Sequence, residues 1–150
     1  MSDFRRFAHR YRKLMEGLER EALREYTQAA DVEARAQHVW HGLAESIEDV
    51  RRQQCASMMD DCRKWALYDA HGRWLQTRLI AVEREWRQAA NELDQRRESL
   101  HLRHMATQTW VHLSDAADLE YRIESAKREQ GDMDELALQR YRKAVEDRWQ

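Results

Sequence analysis

Four histidines fall in two pairs at i, i+3 spacing, His38 with His41 and His101 with His104. On a helix that spacing puts both imidazoles of a pair on one face. Two such faces turned toward each other could hold a divalent cation. Glu98 and His101 also reproduce the Glu-x-x-His spacing of di-iron helix bundles. Those bundles need a second copy of the motif and two further inward glutamates, whereas one copy is found here. Cys55 and Cys62 lie seven residues apart. On one helix that is about 10 Å, beyond the roughly 7 Å Cα limit for an unstrained disulfide, so a reduced, cytoplasmic chain is expected. No Gly-rich phosphate loop, zinc-spaced Cys and His set or nucleophilic constellation is found. No catalytic, cofactor-binding or metal residue is therefore expected, and the chain is read as not an enzyme.

The elements that must position these residues are legible from what the chain lacks. Its 150 residues include no proline and only Gly17, Gly42, Gly72 and Gly131, while 36% are charged. Scarcity of both helix breakers favours long uninterrupted helices. No stretch shows sustained period-two alternation, so strands are not expected. No run of about 18 apolar residues is found, so the chain is not read as membrane-inserted. The opening MSDFRRFAHRYRKLM has charges but no apolar h-region and is not read as a secretory signal.

Apolar residues recur at steps of three and four on both sides of Gly72. Upstream they are Ala36, Trp40, Leu43, Ile47 and Val50, and downstream Leu75, Leu79, Val82, Trp86, Ala89 and Leu93. The pattern predicts an all-α fold, two long helices forming an antiparallel coiled-coil hairpin with its turn near Gly72. One elongated domain is expected, with helices over about 3–70 and 74–148 and a turn at 71–73. Each arm would be roughly 100 Å long. Folding there pairs Val50 with Leu93, Met58 with Trp86, Tyr11 with Met133 and Phe7 with Ala137, residue numbers that sum to 143 or 144. In this register His38, His41 and His101 point away from the partner helix and His104 sits at its flank, so solvated surface histidines are the stronger reading. Arg96, Arg103 and Gln54 are faults in the seam, residues 114–118 are a weak stretch, and Gly131-Asp132 is expected to bend or fray the second helix.

Such a hairpin has two ends. Trp65, Tyr68, Trp74 and Leu75 would crowd the tip, either as an exposed partner site or packed on one another to close the turn. The open end would gather Phe4, Arg5, Arg6, Phe7, Arg10 and Tyr11 with Arg140 and Arg142, a basic collar studded with aromatics. Nearby Glu16, Glu19, Asp134 and Glu135 dilute its field, so nucleic acid is not expected as a partner. An acidic protein cavity suits the collar better.

The run Lys127-Arg128-Glu129-Gln130-Gly131-Asp132-Met133-Asp134-Glu135-Leu136-Ala137, followed by Arg140 and Arg142, resembles the C-terminal segment of the FliJ/YscO family. These are small coiled-coil stalk proteins of flagellar and virulence-type (type III) export machines. The local match covers about a tenth of the chain, and Gly131 departs from the family's preference for good helix formers. The resemblance implies a cytoplasmic stalk peripherally associated with a membrane export apparatus. Its termini would enter the central hole of a hexameric export ATPase and activate it. The rest would reach the cytoplasmic domain of the export gate, and some members also handle export chaperones. Phe4, Arg5, Arg6, Phe7, Arg10, Tyr11, Met133, Asp134, Glu135, Ala137, Arg140 and Arg142 would then face the ATPase. An export chaperone holding secreted clients is the alternative, and a dimeric four-helix bundle with a metal role a third reading.

Overall fold

The structure, a computed structural model, describes residues 2–150. It is all-α: helix α1 spans Ser2–Ser57 and helix α2 spans Cys62–Trp149. The two run antiparallel as a hairpin, and no strand occurs among the described residues. Among the described residues no helix is long and apolar enough to cross a membrane.

The turn lies at residues 58–61, not at Gly72, and its chemistry explains the choice. Asp61 caps α2: its Oδ1 accepts from the Arg63 N–H at 2.9 Å, and its carbonyl accepts from the Trp65 N–H at 3.1 Å. Both uses fit an N-cap, which satisfies donors the first helical turn leaves open. On the other side the Ser57 carbonyl accepts from the N–H groups of Asp60 and Asp61, at 3.2 and 3.3 Å. Gly72 lies inside α2 with no positive φ. Both expected helix boundaries at the turn move accordingly. α2 also stays helical through residues 114–118 and through Gly131, where a bend or fray is expected from the sequence.

Cα packing divides the chain into two compact units, one joining Met1–Leu18 to His104–Gln150 and the other formed by Glu19–Arg103. In the second unit Ile47, Val50 and Leu75 form a buried cluster, with Leu43, Tyr68 and Leu79 packed against it. The Trp40 and Trp86 rings meet at 5.4 Å, and Trp86 Nε1 donates to Glu33 Oε1 at 2.9 Å. In the first unit Ala8, Ser114 and Ala117 are buried, small residues that let two helix backbones approach closely. The Thr107 hydroxyl there donates to the Met15 carbonyl at 3.2 Å.

All eleven seam residues named from the sequence are buried or half-buried. Their pairing differs. Phe7 and Tyr11 meet Trp110 instead of Ala137 and Met133, and Val50 meets Leu75 instead of Leu93. Facing residue numbers sum to between 117, for Phe7 with Trp110, and 127, for His9 with Asp118. The hairpin is thus displaced from the expected register by about three heptads.

Candidate interaction surfaces

The start of α1 packs on the stretch of α2 around Asp118. Arg5 Nε donates to Asp118 Oδ1 at 2.6 Å, and His9 Nε2 lies 3.0 Å from the same oxygen. The Arg5 guanidinium also sits over the Tyr121 ring, 4.3 Å from its centroid. The hydrogen bond from His9, then that from Arg5, holds the Asp118 carboxyl below its ordinary pKa. Arg12 donates to Glu16, to the Ser114 hydroxyl at 3.1 Å and to Asp115 at 3.3 Å. Its own pKa is raised, first by the bond to Glu16. The expected N-terminal residues therefore divide by role. Phe7, Tyr11 and Arg5 contact α2, Phe7 while remaining as exposed as Phe4, and Arg6 and Arg10 are exposed. Arg6 and Arg10 line a shallow groove with His9 and Tyr121.

The shift in register removes the expected collar. Because Arg5 already faces Asp118, α1 is spent before α2 reaches its C-terminal run, and every residue from 126 to 150 is exposed. Met133, Asp134, Glu135, Ala137, Arg140 and Arg142 therefore stand on α2 alone and do not pack against Phe4–Tyr11 residues as the sequence led us to expect. Leu136, Arg140, Arg142, Lys143 and Glu146 shape a shallow groove on this segment.

The expected tip cluster is also redistributed. Leu75 is buried and Tyr68 half-buried in the Ile47 cluster. Trp74 is 59% exposed and stacks on His71 with centroids 6.0 Å apart. Trp65 is 39% exposed and lines an apolar notch with Met58 and Cys62. The turn presents Met59, 95% exposed, a residue the sequence reading missed. The Asp60-Asp61 pair that follows was the signal available, since aspartate is a strong N-cap and a poor helix interior residue.

Cys55 and Cys62 do not share a helix as supposed; they flank the turn on α1 and α2, free and exposed. His38, His41, His101 and His104 are exposed, and the His41 ring lies beside those of Trp40 at 5.1 Å and Trp86 at 6.3 Å. Among the described residues no group of three or more His, Cys, Asp or Glu could hold a metal ion. What the surfaces offer is contact: an exposed charged helix, a basic groove and a turn that exposes Met58 and Met59 beside Asp60 and Asp61. No family model, curated protein or solved structure matches the chain.

Proposed function

We propose that the chain is a non-enzymatic interaction protein, the stalk of a type III export apparatus. It would engage the hexameric export ATPase through the C-terminal segment of α2. The observation that carries this reading is the exposure of the whole segment from 126 to 150. That segment begins with the run that resembles the FliJ/YscO family, and a helix without an intramolecular partner is free to enter a protein cavity. The proposal places the ATPase contact on Met133, Ala137 and Arg140 of α2, with Phe4, Arg6 and Arg10 as a separate basic surface. Export-gate and chaperone contacts, and a cytoplasmic position beside the membrane, belong to the same proposal. Ala137→Asp combined with Arg140→Glu should abolish capture and activation of the purified ATPase while circular dichroism keeps its helical amplitude. Undiminished capture would remove this reading.

A client-holding chaperone is the second reading, and the exposed Met58, Met59 and Trp65 around the turn favour it. Flexible methionines adapt to varied apolar partners. Suppression of client aggregation that vanishes in a Met58→Ser, Met59→Ser chain would select it over the stalk.

A further inference from the structure

The segment of α2 beyond α1 carries two central charge blocks that complement each other when read backwards, the acidic Asp132, Asp134 and Glu135 and the basic Arg140, Arg142 and Lys143. Reversal about Leu138 lays these two blocks on one another, while the outer Glu129 and Arg148 fall opposite Asp147 and Arg128. An exposed apolar row, Leu138, Tyr141, Val145 and Trp149, follows one face at steps of three and four. Arg128 is tied to Glu124 of its own helix at 3.7 Å, but among the described residues no ion pair uses Asp134, Glu135, Arg142 or Lys143.

We infer that this segment pairs antiparallel with the same segment of a second copy of the chain, with Leu138 on the two-fold axis. Such an isologous contact repeats every interaction twice. Asp134 of each copy lies opposite Arg142 of the other. On the flank Glu135 comes within reach of Lys143, and Arg128 of Glu146. Val145 lies over Gly131, whose missing side chain leaves room for it. That accounts for a glycine with no role inside the chain, since a Cβ built there meets nothing within 4 Å. A parallel pair would set Asp134 on Asp134 and Arg142 on Arg142, which like-charge repulsion disfavours. The inference goes beyond the export-stalk reading and does not depend on it. The two are told apart by readout, self-association here and ATPase capture there, because Ala137 stands three residues from Asp134 and borders the same face.

The test is sedimentation equilibrium of the full chain. Wild type should self-associate to a dimer. Asp134→Arg alone and Arg142→Asp alone should each weaken the dimer about tenfold or more, because each places like charges opposite one another twice. An equimolar mixture of the two variants should recover wild-type affinity, since every introduced charge then meets its opposite across the pair. In a C55S/C62S background, Leu138→Cys should oxidise to a covalent dimer. Circular dichroism of each variant shows that the fold is intact, as these positions are exposed. A wild-type chain that stays monomeric at every concentration would overturn the proposal and leave the face to a different partner. Variants as dimeric as wild type, or a mixture no tighter than its components, would overturn it too.

Discussion

Gly72 shows how a single residue can be read as a turn and serve instead as a spacer. Its backbone is helical, and the nearest atom to an added Cβ would be Val50 Cγ1 at 3.6 Å, ordinary van der Waals contact. Replacing it with alanine should therefore remove the entropic penalty of glycine without a clash, raising stability by about 0.5–1 kcal/mol in urea unfolding. A turn glycine would respond with the opposite sign. Asp118 carries the pH dependence of the α1 start. Its carboxyl is held below the ordinary aspartate range by His9 and Arg5. A lowered folded pKa contributes stability above the unfolded value, and that contribution disappears as pH falls through the folded one. Asp118→Asn should therefore be less stable than wild type near neutral pH, and the difference should close on acidification below about pH 4. Urea midpoints of both chains across that range read it directly. A gap that stays constant with pH would mean packing, not ionisation, is lost.

At the level of the elements, periodicity was readable and register was not. A three-four repeat says which face of a helix is buried, and Ala36, Leu43, Ile47, Leu75 and Val82 all obey it. The same repeat fits its partner equally well after a slide of whole heptads, so it cannot say which residues meet. What breaks that degeneracy is the set of residues that looked like faults. Arg96 finds Glu25 Oε2 at 2.9 Å, Gln54 Nε2 reaches Asp69 at 3.5 Å, and Ser114 and Asp115 accept from Arg12. Polar and small residues in a seam specify alignment at some cost in apolar burial. The turn follows the same logic, since Asp61 offers hydrogen bonds where Gly72 offers only freedom. Asp61→Ala should accordingly cost about 1 kcal/mol in unfolding free energy. Asp61→Asn, which can still accept the Arg63 N–H, should lose much less. Equal losses would show that charge near the α2 N-terminus matters more than the cap.

For the whole molecule the consequence of register is inequality: α1 has 56 residues and α2 has 88. The expected turn made the arms equal and brought both termini together, which is why the C-terminal run was assigned a partner it does not have. The functional segment itself, 127–137, was legible as sequence, but its isolation on one helix was not, because isolation depends on where the other helix ends. A lone helix in water gains no packing and is marginal even with favourable i, i+4 pairs. Deleting residues 126–150 should therefore leave the unfolding free energy of the remainder within about 0.5 kcal/mol, as expected for exposed positions. Amide exchange sharpens the point, because local opening sets it. In dilute chain, residues 126–149 should exchange far faster than Ile47, Val50 and Leu75. Raising the chain concentration, or adding the export ATPase, should slow exchange in that segment and leave the Ile47 cluster unaffected. Protection equal to that of the core in dilute chain would mean the segment draws stability from within its own molecule, contrary to its exposure.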